Sequence, residues 1–325
     1  MRMTVLASGS KGNSTVISSS RTRVLVDAGL SCREILKRMA QADEDPVELD
    51  AILITHEHQD HVAGLGVLAR KLGIPVYLTE PTHRAWVRML TPRTTMSYAQ
   101  WLDHVQREKA ARANAAAGIC DSMSAAVESP GTHSQLEDPD EPETEPEIQT
   151  TPAKADPTFL PAVEYFHPGA QFSIGDIQVI PFTIPHDAAD PCGFVFSSEG
   201  VRMALATDLG YMPPNVKAAL RRIDVLLLES NHDLEMLKDG PYPWSVKQRV
   251  LSRVGHLSNL ATAEFLQNDY DGLSTYIVLG HLSESNNAPE LARLSAERAL
   301  VNHPTLLGNR ILLADQSAPL APICL

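Results

Sequence analysis

Four residues able to hold a metal ion fall within six positions: His56, His58, Asp60 and His61, in the run Thr55-His56-Glu57-His58-Gln59-Asp60-His61. An apolar stretch, Ile52-Leu53-Ile54, leads into them. His56 and His58 are two apart, so an extended backbone points both to one side. Asp60 follows with the same parity after a turn. His61 stands just before a helical pattern that opens at Val62, where it can serve a second ion nearby. Imidazole and carboxylate suit zinc, manganese or iron better than calcium. A polar loop that merely meets solvent has no need of three histidines and an aspartate at this spacing.

The run His56-x-His58-x-Asp60-His61 resembles the signature of the metallo-β-lactamase superfamily. The resemblance implies that fold, an α/β four-layer αββα sandwich, and it directs attention to three later places. Pro185-His186-Asp187-Ala188 precedes a strand-like Gly193-Phe194-Val195-Phe196, as the third-motif histidine of the superfamily does. Ala206-Thr207-Asp208-Leu209-Gly210 ends a strand where the metal-bridging aspartate belongs. Leu279-Gly280-His281-Leu282-Ser283 ends another, where the final histidine belongs. By resemblance, one metal takes His56, His58, His186 and Asp208, and the other takes Asp60, His61, Asp208 and His281. Elementary chemistry agrees. Two divalent ions sharing a carboxylate can hold a hydroxide that is nucleophilic near neutral pH, and can clamp the attacking and leaving oxygens of a displacement at phosphorus. Asp60 then positions the nucleophile as a ligand.

Two more residues narrow the chemistry. Val225-Leu226-Leu227-Leu228 ends in Glu229, and Val254-Gly255-His256-Leu257-Ser258-Asn259 follows. In order and setting they resemble the glutamate and histidine of ribonuclease Z and related phosphodiesterases. That resemblance implies that His256 is the general acid for the leaving oxygen and that Glu229 orients it. A carboxylate paired to imidazole raises its pKa and fixes its tautomer, as a proton donor requires. His232 is either a substrate contact or a polar residue opening a helix. Ala7-Ser8-Gly9-Ser10-Lys11-Gly12-Asn13-Ser14 joins two strands, and its hydroxyls and amides either face the metals and hold a phosphate or form a plain hairpin turn. It is not a Walker loop. Together with Gly280-His281-Leu282-Ser283-Glu284-Ser285-Asn286-Asn287, these motifs resemble the YycJ/WalJ group of the superfamily. That resemblance implies a cytosolic, metal-dependent 5′-to-3′ exonuclease acting on DNA and linked to its repair. Ser10, Asn13, His232 and Asn286 become the candidate substrate contacts. A ribonuclease Z-like RNA endonuclease and a small-molecule cyclic phosphodiesterase are also compatible. Zinc and manganese head the list of metals, with iron compatible.

The elements that must position these residues read as α/β. Strand-like runs include 3–7, 24–26, 51–54, 76–78, 177–180, 193–196, 202–206, 225–228, 276–279 and 310–313. Helical periodicity covers 63–72, 81–90, 214–220, 246–254, 261–266 and 289–301. Two strand-rich halves with helices on their outer sides suggest the helix–sheet–sheet–helix sandwich. The chain has 325 residues, 43% of them apolar, which is ample for a core and excludes a fibrous or wholly disordered protein. Residues 118–157 hold ten acidic residues and one lysine, most of the net charge of −13. With many prolines and few apolar residues, this stretch cannot repay the entropy of ordering. The hydrolase domain is therefore expected over 1–106 and 158–325, with an insertion over 107–157 whose acidic part, 118–157, is preceded by a helical alanine-rich stretch near 100–117. The insertion is either a docking segment for a protein partner or a tolerated surface loop. A net charge of −13 excludes a uniformly basic surface but not a local basic groove. Modest basic clusters occur, one at Lys247, Arg249 and Arg253. Four cysteines without C-x-x-C spacing exclude a disulfide scaffold. No secretory signal or membrane span is legible, so a cytoplasmic protein is expected, its oligomeric state open.

Overall fold

Short Val-, Ile- and Leu-rich runs whose side chains alternate between two buried layers form the strands of the computed structural model, which describes residues 1–91, 156–301 and 308–325. In chain order these are β1 (Arg2–Ala7), β2 (Ser14–Ser18), β3 (Arg23–Val26), β4 (Ala51–Leu53), β5 (Val76–Leu78), β6 (Val163–Tyr165), β7 (Phe172–Ile174), β8 (Ile177–Thr183), β9 (Cys192–Ser198), β10 (Val201–Ala206), β11 (Val225–Glu229), β12 (Tyr276–Gly280), β13 (Arg310–Leu313) and β14 (Ile323–Cys324). They form two seven-stranded sheets, ordered β14-β1-β2-β3-β4-β5-β6 and β13-β12-β11-β10-β9-β8-β7. Each sheet is mixed. β3 to β6 run parallel, as do β10 to β13, while hairpins make the other side of each sheet antiparallel.

The two-residue period decides which side chain meets which layer. Val24, Val26, Ala51 and Leu53 of the first sheet meet Phe194, Phe196, Met203, Leu205, Val225 and Leu227 of the second in a central core. Their neighbours Leu25 and Ile52 point the other way, onto helices α1 (Cys32–Gln41), α3 (Leu65–Leu72) and α4 (Glu80–Leu90) through Ile35, Met39, Leu68 and Trp86. Leu226, Leu228, Ile277 and Leu279 likewise face α5 (Pro214–Ala219), α8 (Asn259–Asn268) and α9 (Pro289–Leu300). Both faces of the parallel strands are buried, which explains their near-continuous apolar sequence. The architecture is the four-layer αββα sandwich. Three short helices, α2 (Gln59–Val62), α6 (Leu234–Asp239) and α7 (Trp244–Val250), belong to the loops.

The structure differs from the sequence reading in several boundaries. α2 opens at Gln59, not Val62, with His58 as its N-terminal flanking residue. Asp60 and His61 therefore stand on the first helical turn, not on an extended loop before it. α7 closes at Val250, short of Val254. Strands β6, β7 and β14 lie at or near sheet edges, are two or three residues long, and carry too weak an alternation to be read. One compact unit comprises Met1–Thr91 and Asp156–Leu325. The helical stretch expected near 100–117 and, apart from Asp156 and Pro157, the acidic insertion expected over 107–157 lie outside the described residues. Among the described residues, no helix is long and apolar enough to cross a membrane.

Candidate metal centre

Parallel strands carry the cluster at their carboxyl ends, where an α/β sheet leaves a crevice. Asp27 follows β3, His56 lies just past β4, Asp208 just past β10, Glu229 is the last residue of β11, and His281 follows β12. Three of these, Asp27, Asp208 and His281, hold φ of 61°, 64° and 55°, the left-handed region that non-glycine residues avoid. Such strain costs on the order of 1–3 kcal/mol per residue and persists only where surrounding contacts fix it. Here the Asp27 amide donates to Leu53 O at 2.9 Å and the His281 amide to Ser8 Oγ at 2.8 Å.

Four of the five inner histidines are held by Nδ1, while His58 Nδ1 meets His186 Nε2 at 3.2 Å. His56 Nδ1 meets Thr55 Oγ1 at 3.0 Å, His61 Nδ1 meets Asp27 Oδ2 at 2.8 Å, His186 Nδ1 meets Gly255 O at 3.2 Å and His281 Nδ1 meets Glu229 Oε1 at 2.8 Å. Anchoring one ring nitrogen fixes the tautomer and turns the other inward. The inward atoms converge. Donor atoms of His56, His58 and His186 lie within 4.8 Å of one another, as do those of Asp60, His61 and His281 and those of His56, His61 and Asp208. Asp208 stands between the groups, with Oδ2 3.4 Å from His61 Nε2 and Oδ1 3.8 Å from His186 Nε2 and 3.5 Å from His281 Nδ1. His56 Nε2, His281 Nε2 and Asp208 Oδ2 are buried with no hydrogen-bond partner. Orphaned buried polar atoms normally cost about 1–3 kcal/mol each. Three of them facing one another, among nitrogen and carboxylate donors, fit divalent cations. Charges already lean that way: burial works against ionised Asp208, yet His281 and His61 beside it hold its carboxyl well below the usual range.

Glu229 is the hub of the second layer. It is fully buried, and Oε1 accepts from both His256 Nδ1 and His281 Nδ1 at 2.8 Å. Its Oε2 accepts from the amides of Leu209 at 2.6 Å and Leu257 at 3.1 Å. Burial opposes its charge, but His256 and His281 outweigh this and bring its pKa down to about 2. His256 reaches this position because the chain doubles back on the end of α7, its amide bonding Val250 O at 3.0 Å. Gly255 makes that turn possible, since a Cβ there would sit 2.1 Å from Val250 O and 2.3 Å from Arg249 O. That close approach is the reason α7 stops early.

A cavity of about 250 Å³ opens above the cluster. His58, Asp60, His186, Asp208, His256 and His281 line it, with Ser10, Asn231 and Ser283 on one side and Tyr242, Val246 and Arg249 on another. Of the four expected substrate contacts, Ser10 alone lines it. Asn13, His232 and Asn286 do not line it and are buried, at 6%, 1% and 1% exposure. Asn13 braces the cluster, its Nδ2 meeting Asp60 Oδ2 at 3.3 Å and His61 Nε2 at 3.1 Å. His232 is one residue past Asn231 and so faces the opposite way. Burial lowers its pKa to about 4. Asn286 folds back on Ser283 Oγ and is tied by its carbonyl to the Asp233 amide at 2.9 Å. Sequence reading missed Asp27, whose carboxylate takes His61 Nδ1 and, at 2.9 Å, the Thr55 amide. A lone acidic residue directly after a buried strand, as in Leu25-Val26-Asp27, was the available signal.

A sandwich whose two sheets jointly present histidines and aspartates at their carboxyl ends is a metallohydrolase architecture, and the chain belongs to the metallo-beta-lactamase superfamily, whose model matches residues 7–246. Within that superfamily it is 32% identical over 316 residues to the exodeoxyribonuclease WalJ of Streptococcus pneumoniae, covering 97% of this chain and 94% of the other. It is 33% identical over 300 residues to the exodeoxyribonuclease YycJ of Bacillus anthracis, covering 92% and 89%. The metallo-beta-lactamase fold protein YhfI from Bacillus subtilis superposes with a TM-score of 0.58 over 98% of each chain at 12% identity, a likeness of fold.

Proposed function

We propose that this chain is a metal-dependent DNA exonuclease that hydrolyses phosphodiester bonds from 5′ to 3′. The observation that carries the chemistry is His256, at the cavity wall beside the metal cluster with its Nδ1 held by the buried Glu229 carboxylate. The choice of DNA follows the named activity of the relatives. One divalent ion, zinc or manganese, would take His56, His58, His186 and Asp208, and a second Asp60, His61, Asp208 and His281. Ions bound there would make water nucleophilic near neutral pH and offset charge at phosphorus. The protein supplies the rest. Glu229 accepts the Nδ1 proton of His256, which leaves Nε2 to carry the proton for the departing sugar oxygen. Asp27 and Glu229 hold His61 and His281 in the tautomer that presents Nε2 inward. Asp60, 24% exposed at its side chain, is the cluster carboxylate open to the cavity and orients the attacking oxygen.

The same proposal includes the division into a hydrolase domain over 1–106 and 158–325 with an acidic insertion over 107–157, either a tolerated surface loop or a docking segment for a protein partner. The compact unit of Met1–Thr91 with Asp156–Leu325 supports it. A reducing cytoplasm suits the free thiols of Cys32 and Cys192, both buried. The test is a panel: metal-loaded protein with end-labelled single- and double-stranded DNA and RNA, beside bis(p-nitrophenyl) phosphate and a β-lactam. A 5′-to-3′ ladder on DNA is expected. Cleavage of RNA alone, or of the small diester alone, overturns the substrate, and lactam hydrolysis alone overturns the phosphodiesterase chemistry.

A further inference from the structure

The cavity wall formed by α7 and the turn before it has no role in the chemistry above, yet its composition is unlike the rest of the site. Tyr242, Val246, Arg249 and Val250 are the residues of this wall, and Arg249 carries the sole Lys or Arg side chain among the described residues that line the cavity. Val246, Arg249 and Val250 share one face of the helix at i, i+3 and i+4. The Arg249 guanidinium, 57% exposed at its side chain, forks onto Asp187. Its Nε and Nη2 donate to the two carboxylate oxygens of Asp187, at 2.5 and 3.1 Å, and the Asp187 amide is itself fixed to Val254 O at 3.1 Å. Such a fork uses two of the five guanidinium N–H groups. Those on Nη1 have no partner among the described residues. Asp187 adjoins His186, so the fork stands next to the metal cluster but outside it.

We infer that this wall holds the substrate strand: Arg249 takes the phosphate next to the one being cleaved, and the Tyr242 ring supports a base. The inference rests on the nuclease reading and goes further by naming a single strand as the bound form. A planar fork with a free edge suits a phosphate oxygen pair. A half-buried tyrosine on the same wall offers a π-face that accepts any base, the usual partner of a cationic groove in single-strand binding.

The experiment measures kcat/KM of the metal-loaded enzyme on a short single-stranded oligodeoxynucleotide across a series of salt concentrations, with bis(p-nitrophenyl) phosphate, which has no neighbouring phosphate, as the second substrate. R249Q is expected to lower kcat/KM on the oligonucleotide roughly 10- to 100-fold, as for loss of a charge-assisted hydrogen bond. Its loss on the small diester should be smaller. The slope of log kcat/KM against log salt should shrink by about 0.7, one single-strand phosphate contact. R249K, which keeps the charge, should restore the slope. Y242A should lower kcat/KM roughly 5- to 100-fold with the slope unmoved, and Y242F should keep most of it. An unchanged slope in R249Q, or equal losses on both substrates, overturns the Arg249 assignment while the nuclease reading stands. A wild-type enzyme inert on the oligonucleotide but active on duplex DNA overturns the single-strand inference alone, and inertness on both DNA forms overturns the nuclease reading with it.

Discussion

Replacing Glu229 with glutamine removes one charge and two acceptor sites from a position where four donors converge. Both carboxylate oxygens are occupied, Oε1 by His256 and His281 and Oε2 by the amides of Leu209 and Leu257. Glutamine keeps one oxygen and turns an NH₂ toward the other pair. If the NH₂ faces the backbone, two amide donors are orphaned. If it faces the histidines, their Nδ1 atoms must become acceptors, which moves the protons to Nε2 and spoils both the inward lone pair of His281 and the hold on His256. At about 1–3 kcal/mol per unsatisfied buried donor, the first arrangement costs about 2–6 kcal/mol, against a total stability of about 5–15 kcal/mol for an ordinary domain. The second costs function: metal affinity falls about 10- to 100-fold with a lost second-layer partner, and rate falls about 10²- to 10⁴-fold with a misplaced proton donor. Urea unfolding, elemental analysis and hydrolysis of an oligodeoxynucleotide, whose leaving sugar oxygen needs a proton, together separate the two arrangements. Acid titration gives a further readout. The Glu229 pKa is depressed to about 2 in the fold, so its stabilisation is present above the unfolded value near 4.5 and is lost as pH falls from there toward 2. In metal-free protein, E229Q should flatten that acid arm. A variant with wild-type stability, metal content and rate would refute the role given to this carboxylate.

Other outcomes follow from the same geometry. H256A should retain its metals by elemental analysis and lose about 10²- to 10⁴-fold in rate, with alkaline or activated-ester substrates affected least because their leaving groups need no proton. D208A should lose metal, and full occupancy in that variant would remove Asp208 from between the two groups of ligands. D27N should weaken metal binding about 10- to 100-fold through the freed His61 ring, read by competition with a chromophoric chelator. Chelation of the wild-type protein should lower its Tm, and titrating zinc or manganese back should raise it with concentration, as mass action requires of a ligand that binds the folded state alone.

The histidine and aspartate cluster was legible because metal chemistry restricts residue type and the sheet restricts spacing. His56, His58, Asp60 and His61 could be read from seven residues of sequence, and His186, Asp208 and His281 from their places beside strands that are buried on both faces and hence unmistakably apolar. What escaped was whatever depends on partners distant in sequence. Asp27 means nothing until β3 lies beside β4 and brings it to His61, and Arg249, legible only as one member of a basic cluster, is singled out when Asp187 lies beside it. His232 and Asn286 carry promising side chains in promising company, but one residue of parity and one tight turn leave them out of the cavity lining. The early end of α7 is a local turn in which Gly255 folds back on Arg249 and Val250, and apolar periodicity continues past it without registering the turn.

The seven inner donors are drawn from both sheets, His56, His58, Asp60 and His61 from the first and His186, Asp208 and His281 from the second. During synthesis the amino-terminal set emerges long before its counterparts. Until β12 has docked, the first half presents only part of the donor set, so closing the second sheet on the first and completing the cation site are one event, and a cation held there ties the two sheets together.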